Sequence, residues 1–448
     1  MKKKYNIVFI SDLEHSAPRI SNFIHYLSKD KNLNVFLVGA DYSDFLSDND
    51  LPVDFNSDVK KYLFKRQFKL MSVIRKIYLK LIKSNTIQVQ KTNKTNNSQV
   101  QKTNKNKNLS SFKFQLKKII VRIKTIFVNI YLRLNFPDQY IYTLYKYINI
   151  YKKHFKDVDT LIISSSPYPT SHIAAYCIKK RFKNVKWIAD YRDMWTYNHN
   201  YSFGTLRKMV DYKLEKLVIK KCDYITTVSK PWALKLSNSF DKKTNIIPNG
   251  FSKIKNHDKK FELLSENSNK IYFLYVGTIS FNIHDVEMFL TGIRKFIKEH
   301  PSKLVEVHFC GNYSDFLDIL VKKHDLNGIV KQIGRFTRNE VNQMQKTYDY
   351  LFFFDCLIDD GVLLLKFFEY INANRPILAF GKNELSESGK ILKKLSRGIY
   401  FKSNNDFYHF LKNMSLRNKE FVLKSEENEE YSYETQSLKL KNLIKKIY

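Results

Sequence analysis

The fold is decided by one stretch of sequence, which reads Tyr350-Leu-Phe-Phe-Phe354, then Gly361-Val-Leu-Leu-Leu-Lys366-Phe-Phe-Glu369, then Pro376-Ile-Leu-Ala379. The first and third runs are short and continuously apolar, which is typical of strands buried on both faces. We expect a helix to begin within a few residues of Gly361. A strand, a helix and a second strand in this order predict parallel strands covered by helices.

Similar apolar runs occur in two series along the rest of the chain. The first series is at Asn6–Ile10, Asn34–Val38, Asp159–Ser164, Val185–Ala189 and Asp223–Val228. The second series begins after Pro248 with Ile271–Val276, Leu304–Phe309 and Val330–Gly334. Two such series predict an α/β fold in which two Rossmann-like parallel-sheet domains face a central cleft. We expect the first domain at residues 1–247 and the second at 248–427.

The composition indicates a folded, cysteine-poor protein. The chain has 448 residues, of which 43% are hydrophobic, so two sizeable cores can be buried. The four cysteines form no Cys-x-x-Cys pair, which favours a reducing cytoplasm. The apolar run Ile7–Ile10 is too short for a signal peptide, and no run approaches the ~20 apolar residues of a membrane span. We therefore expect a cytoplasmic protein, soluble or peripheral to the membrane.

A basic segment interrupts the first series of strands. The formal net charge is +34, and residues 59–137 contain 20 Lys and Arg but no Asp or Glu. Residues 84–110 are polar and repeat one heptapeptide, which predicts a flexible linker. Residues 60–83 and 112–134 are predicted to be basic amphipathic helices that bind an anionic membrane surface. The alternative is that both helices pack on their own domain with their lysines facing water.

Five short motifs carry the functional signal. They are Ser164-Ser-Ser-Pro-Tyr-Pro169, Asp190-Tyr-Arg192-Asp193-Met-Trp195, Val228-Ser229, Pro248-Asn249-Gly250 and Lys366-Phe-Phe-Glu369-Tyr370. In type and order they resemble the signatures of family 4 retaining glycosyltransferases, which have the GT-B fold. The resemblance spans residues 160–380. It implies transfer of a sugar from a nucleotide-sugar donor, and a C-terminal helix at 428–448 that braces the first domain.

The resemblance implies that the second domain binds the donor. Free N–H groups where the helix starts after Gly361 can hold a diphosphate, and Lys366 adds a positive charge for it. In the resembled family the residue matching Glu369 accepts hydrogen bonds from ribose hydroxyls. The alternative for Lys366 and Glu369 is a simple i, i+3 ion pair.

The donor motif departs from the family at two places. Relatives carry a second glutamate at the position of Gly361, so either Asp359 or Asp360 takes over its contacts or backbone amides hold the sugar. Relatives also carry an Arg or Lys soon after the glycine that matches Gly277. Gly277 and Thr278 are predicted donor contacts, but the segment here offers only hydroxyls, Asn282 and His284, and the predicted substitute cation is Arg335.

The acceptor side of the predicted cleft belongs to the first domain. The loop from Asp190 to Asp193 follows a strand, so Asp193 can orient an acceptor hydroxyl and Arg192 can counter charge on the acceptor or the departing phosphate. A structural alternative is that Arg192 and Asp193 pair to fix the loop. Arg19 and Asp190 are further predicted acceptor contacts.

Two other features have weak functional signals. His172 lies on a predicted helix, where a lone histidine is more often structural than catalytic. Asp48-Asn-Asp50 matches the metal-binding triplet of a different glycosyltransferase fold, but it lies far from the other motifs. We therefore expect neither a metal nor a cofactor.

The function predicted is transfer of a hexosyl or N-acetylhexosaminyl group to a lipid-linked or polysaccharide acceptor at the cytoplasmic membrane face. Three alternatives stay open: a GT-B-like scaffold that has lost activity, a GT-B sugar-nucleotide epimerase, and a basic nucleic-acid-binding protein. The last would use residues 59–137, which contain no recognised nucleic-acid motif, and it leaves Lys366 and Glu369 unexplained. We therefore expect no nucleic-acid partner.

Overall fold

The structure is a computed structural model that describes residues 4–11, 18–41, 59–65, 136–138, 140–252, 263–267, 270–279, 285–302, 304–414 and 426–448. Several predicted features lie outside the described residues. They are the linker 84–110, the predicted helix 112–134, residues 66–83 of the other predicted helix, Asp48–Asp50, Asn282 and His284.

The N-terminal half forms one parallel sheet with the strand order β3-β2-β1-β4-β5-β6-β7. Its strands are β1 (Tyr5–Ile10), β2 (Leu33–Asp41), β3 (Lys60–Lys65), β4 (Thr160–Ser165), β5 (Val185–Tyr191), β6 (Tyr224–Thr227) and β7 (Thr244–Ile246). The helices on this sheet are α1 (Pro18–Ser28), α2 (Leu144–His154), α3 (Pro169–Arg181), α4 (Thr205–Ile219) and α5 (Lys230–Phe240). All six residues of β4 are buried, as expected for a strand covered on both faces.

The prediction of a helix from residue 60 is wrong for its first six residues. Lys60–Lys65 forms β3, an edge strand paired in parallel with β2. The side chain of Phe64 is buried, whereas Lys61 and Leu63 are exposed. This alternation is the period of a strand, and charged residues commonly protect such sheet edges.

The C-terminal half forms a second parallel sheet with the order β10-β9-β8-β11-β12-β13. Its strands are β8 (Lys270–Val276), β9 (Leu304–Cys310), β10 (Val330–Gly334), β11 (Tyr350–Phe354), β12 (Ile377–Phe380) and β13 (Gly398–Phe401). Its helices are α6 (Val286–Glu299), α7 (Asp315–Lys323), α8 (Arg338–Met344), α9 (Leu365–Ala373), α10 (Glu387–Leu395) and α11 (Asn404–Asn413). Stacked aromatic rings fill the core, with Phe289 lying 4.4 Å from Phe352 between ring centroids.

The last helix, α12 (Tyr433–Ile447), connects the two halves. Its buried residues Leu440 and Ile444 join the hydrophobic cluster of β1 and α1 in the N-terminal half. At its start, the Tyr433 N–H donates to the Phe251 carbonyl, 2.9 Å away, and the Phe251 N–H donates to the Tyr431 carbonyl just before the helix. The last helix thus packs on the first domain, and its start is hydrogen-bonded to the segment that connects the two domains.

Candidate functional site

Three glycines lie at the carboxyl ends of neighbouring strands in the second sheet. Gly277 follows β8, Gly311 follows β9 and Gly334 ends β10, and the φ angles of Gly277 and Gly334 are +121° and +86°. A Cβ on Gly311 would lie only 2.3 Å from the Gly277 carbonyl oxygen. Close backbone packing and left-handed φ angles therefore require glycine at these positions. We call Gly277, Gly311 and Gly334 the glycine edge, and parallel α/β sheets bind ligands at edges of this kind.

Lys366 lies in the first turn of α9, beneath this glycine edge. Its Nζ is 3.7 Å from the centroid of the Tyr275 ring and 3.3 Å from where a Cβ on Gly277 would stand. Burial lowers the pKa of Lys366 to about 7, although the nearby Glu369 opposes the change. Among the described residues no carbonyl or carboxylate accepts a hydrogen bond from this Nζ. The ammonium group is therefore positioned to bind an anion.

The backbone at the start of α9 also favours an anion. The N-cap residue of α9, Leu364, makes no side-chain cap, and within the described residues the N–H groups of Leu365 and Lys366 have no acceptor. Free N–H groups and the positive end of the helix dipole both favour an anion at this position. The structure thus brings together Gly277, Lys366 and a helix start, three features that the sequence predicted to bind a diphosphate.

Glu369 lies one turn further along α9 and pairs with an arginine that the sequence analysis missed. Nη2 of Arg338, in the first turn of α8, donates to Oε1 of Glu369 at 2.6 Å. Burial raises the pKa of Glu369, and Arg338 and Lys366 partly oppose that rise. Arg335, the predicted second cation, is instead exposed and makes no hydrogen bond or ion pair with a described residue. The sequence signal near Arg338 was the capping box of Thr337 and Glu340, which marks where α8 begins but does not indicate the partner of Arg338.

Gly361, where relatives carry a glutamate, lies against a tryptophan from the other half of the molecule. A Cβ on Gly361 would be 2.3 Å from Cδ1 of Trp232, a residue of α5. The Trp232 indole N–H donates to both carboxylate oxygens of Asp359 at 3.1 Å, and the Gly361 N–H donates to the same carboxylate at 2.9 Å. The indole thus fills the space that a larger side chain at position 361 would need.

The neighbouring Asp360 has a different environment from Asp359. Asp360 is exposed, and its Oδ2 accepts a hydrogen bond of 2.8 Å from the Asn383 amide. Thr278, the other predicted donor contact beside Gly277, lies on the glycine edge, where its hydroxyl accepts a hydrogen bond of 3.3 Å from the Asn312 amide. The side chains of Thr278 and Asp360 are both exposed to solvent.

The predicted acceptor loop leaves the carboxyl end of β5. Nε and Nη2 of Arg192 both donate to Oδ2 of Asp193, at 3.0 and 2.9 Å, as in the structural alternative. The Ser166 hydroxyl donates to the Asp193 carbonyl and accepts from its N–H, which holds the loop on the preceding motif. The Asp193 side chain is still 36% exposed, and its Oδ1 has no described partner, so this oxygen can face a substrate hydroxyl.

Arg19 and Asp190, both predicted to contact the acceptor, are bonded to each other instead. The Arg19 side chain is fully buried and donates to both Asp190 oxygens, at 2.8 and 3.1 Å, and to the Pro248 carbonyl. Burial alone would raise the pKa of Asp190, but Arg19 and the hydroxyls of Thr226 and Ser165 hold it below the usual value. The pair therefore joins α1, β5 and the interdomain segment, and its buried groups have no free side for an acceptor.

A buried glutamate, also missed by sequence reasoning, supports the acceptor loop from below. Glu215 on α4 accepts hydrogen bonds from the Tyr191 hydroxyl at 2.9 Å and from the N–H and hydroxyl of Thr196. Burial raises its pKa to about 7.

His172 is buried beside a serine of the first motif. Its Nδ1 lies 2.7 Å from the Ser164 hydroxyl oxygen, and burial lowers its pKa to about 4.

The described part of the chain contains neither a candidate metal centre nor a candidate membrane-spanning helix. There, no three His, Cys, Asp or Glu side chains are grouped to hold a metal ion. No helix in the same ranges combines the length and the apolar character needed to cross a bilayer.

Comparisons with known proteins identify the fold class. No protein-family model matches the chain, and no curated protein is significantly similar in sequence. A glycosyltransferase from Rickettsia africae aligns with a TM-score of 0.61 at 11% identity, covering 99% of this chain and 98% of that one. Sucrose-phosphate synthase from Thermosynechococcus elongatus aligns with 0.59 at 11% identity, covering 99% of both chains. Anabaena HepE in complex with UDP and glucose aligns with 0.58 at 10% identity, covering 99% of this chain and all of the other.

The predicted fold class is confirmed. The chain has the GT-B fold, with two Rossmann-like parallel-sheet domains that meet at loops leaving the carboxyl ends of their strands. Structures that share this fold also include a UDP-GlcNAc 2-epimerase. The likeness therefore defines the architecture, and the choice of reaction depends on the site.

Proposed function

We propose that the chain is a retaining glycosyltransferase that takes a hexosyl or N-acetylhexosaminyl group from a nucleotide sugar. The observation that carries this proposal is the Lys366 ammonium, which is partly buried, has no described hydrogen-bond acceptor and lies beside free N–H groups at the start of α9. A nucleoside diphosphate supplies the anion that this arrangement lacks. Glu369, oriented by Arg338, is the proposed acceptor for ribose hydroxyls.

In this proposal the enzyme acts by orientation and by stabilising the leaving group. Lys366 and the α9 amides offset the charge that develops on the departing diphosphate. Asp193 orients the incoming hydroxyl through its exposed carboxylate oxygen. Gly361 and Asp360 line the sugar position, with the Trp232 indole beside them in place of the relatives' glutamate. In this proposal no covalent sugar–enzyme intermediate forms, and the departing diphosphate takes the proton of the incoming hydroxyl on the same face of the sugar.

The acceptor proposed is a lipid-linked sugar or a polysaccharide at the inner face of the cytoplasmic membrane. Residues 60–83 and 112–134 are the proposed contacts with anionic lipid, because the surrounding segment has 20 cations and no anions. The first of these contacts includes the lysine-bearing edge strand β3 rather than a helix alone.

The test of this function is a thermal-shift panel of nucleoside diphosphates and nucleotide sugars, followed by product analysis. A ligand at ~100 times its dissociation constant stabilises a fold by ~2.7 kcal/mol, so binding is readily detected. Transfer of labelled sugar to a lipid or glycan fraction, with the anomeric configuration kept, supports the proposal. An epimerised free nucleotide sugar points to the epimerase alternative, and binding without any turnover points to the inactive scaffold.

A further inference from the structure

Helix α4 has an exposed row of large apolar side chains. Leu206, Met209, Val210 and Leu217 are 78%, 55%, 47% and 53% exposed. Their spacing of i, i+3, i+4 and i+11 puts them on one face of the helix. The other face buries Asp211, Glu215, Val218 and Ile219 against the domain. Single exposed apolar residues are common, whereas a row of four along one helix face marks an interaction surface.

The exposed charges of α4 itself are all of one sign. The exposed charged residues on α4 and directly after it are Lys208, Lys213, Lys216, Lys220 and Lys221. The only acidic residues of the helix, Asp211 and Glu215, are buried and bonded within the domain. An apolar row on a helix whose exposed charges are all lysines is complementary to an anionic bilayer surface.

The position of α4 relates this face to the acceptor loop. The helix follows the loop that begins with Arg192 and Asp193, and its buried Glu215 holds that loop through Thr196. Its first turn also meets the end of the basic segment. The Arg207 guanidinium lies between the rings of Phe136 and Phe203, 4.6 and 4.7 Å from their centroids, and donates to the Pro137 carbonyl.

We propose that the exposed face of α4 docks on an anionic lipid bilayer, with Leu206, Met209 and Val210 inserted among the headgroups. The first turn of α4 contacts Phe136 and Pro137, where the basic segment 59–137 ends. Docking in this orientation holds the Asp193 loop near the lipid surface. This last step rests on the proposed function, because it makes the acceptor a sugar that stays attached to its lipid in the membrane.

The experiment is flotation of the full chain with vesicles of phosphatidylcholine alone or mixed with phosphatidylglycerol. We expect binding only to the anionic vesicles, and we expect Leu206→Ser/Met209→Ser to lower the affinity about tenfold or more. Each lysine near an anionic surface is worth about fivefold in affinity, so Lys213→Gln/Lys216→Gln is expected to have a similar effect. The matched control is Ile319→Ser/Lys322→Gln on α7, which alters a similarly exposed apolar residue and lysine beside Asp315 and Asp318.

Nucleoside-diphosphate binding, measured on the same samples, separates this proposal from the proposed function. Reduced vesicle binding by both α4 variants, with normal nucleotide binding and an unchanged control, supports α4 as the docking face. Unchanged vesicle binding overturns the proposal, as does equal binding to uncharged vesicles. Conversion of a dimer to a monomer by the α4 variants also overturns it, because the face is then an interface between two copies of the chain. If the unmodified chain binds no nucleoside diphosphate, the proposed function is contradicted. The vesicle results then still decide whether α4 is the docking face.

Discussion

The indole N–H of Trp232 donates to both oxygens of Asp359 while its ring covers Gly361, and these contacts join the two domains beside the proposed donor position. Trp232 lies on α5 of the first domain, and the other two residues lie on the loop that leads into α9. The contact explains why this chain has glycine where the resembled family has glutamate. It also makes positions 232 and 361 dependent on each other.

Gly361→Glu is therefore expected to be destabilising in the native background, because its Cβ would overlap the Trp232 ring. Overpacking of this kind typically costs about 1–3 kcal/mol. Trp232→Gly opens the space, so the double variant should be more stable than the sum of the two single effects predicts. Thermal unfolding of the four proteins measures the coupling, and strictly additive effects would contradict the contact.

Lys366→Met is expected to stabilise the unliganded protein and to weaken nucleotide binding by at least about tenfold. Burial holds the pKa of Lys366 at about 7 in the folded protein, well below its value in the unfolded chain. Charging this buried lysine therefore lowers the free energy of unfolding, fully below pH 7 and less and less as the pH rises towards the unfolded pKa. Methionine removes that penalty, and ~1 kcal/mol corresponds to ~2–4 °C in Tm for a domain of this size. Lys322→Met on exposed α7 is the control. A lower Tm for Lys366→Met would mean that the ammonium supports the fold rather than the ligand.

The same pKa predicts proton uptake when a diphosphate binds. Above pH 7 the free protein has mostly neutral Lys366, and a bound anion favours the charged form. Titration calorimetry at pH 8 in buffers of different ionisation enthalpy should show uptake of nearly one proton, and affinity should fall as the pH rises above 7. Absence of proton exchange would rule out contact between Lys366 and the diphosphate.

Arg338→Gln is expected to move the pH dependence of nucleotide binding. Without the guanidinium, burial raises the pKa of Glu369 further, so the carboxylate is charged only at higher pH. Relative to the native chain at the same pH, binding by the variant should therefore be weakest at low pH and should approach the native affinity as the pH rises. A uniform loss at every pH would show that Arg338 has only a structural role, and Arg338→Lys tests whether charge alone is enough.

Removal of Arg19 is expected to act on stability. Arg19→Met leaves the buried Asp190 carboxylate without its cation, a change that typically costs about 3–5 kcal/mol. Arg19→Met/Asp190→Asn should recover part of that loss. Denaturant unfolding measures both. An Arg19→Met protein that is fully stable but has a raised KM for acceptor would instead restore the predicted acceptor role.

The sequence could predict the architecture because its strands are continuously apolar. The predicted strands at Val330–Gly334 and Tyr350–Phe354 have the same bounds as β10 and β11. The edge strand β3 was missed because its lysines also fit a helical stripe, and β7 and β13 were missed because they are short edge strands that are only partly buried. Local periodicity identifies buried elements more reliably than exposed or very short ones.

The site was predictable where its residues lie within one helix turn of each other. Lys366 and Glu369 belong to one motif, and the structure places them together at the glycine edge. Trp232 bonds to a residue 127 positions away, and Arg19 to one 171 positions away, so no local pattern could pair them. Arg338 was hidden for the same reason, because its role depends on how α8 packs against α9.

The most direct test of the central claim is calorimetric titration of nucleoside diphosphates into the native chain and Lys366→Met at pH 6.5. One diphosphate is expected to bind the native protein, Lys366→Met is expected to weaken this binding by at least about tenfold, and Lys322→Met is expected to bind normally. Equal binding by the native chain and Lys366→Met, or no binding of any diphosphate by the native chain, would contradict the claim that the start of α9 is a nucleotide-sugar site.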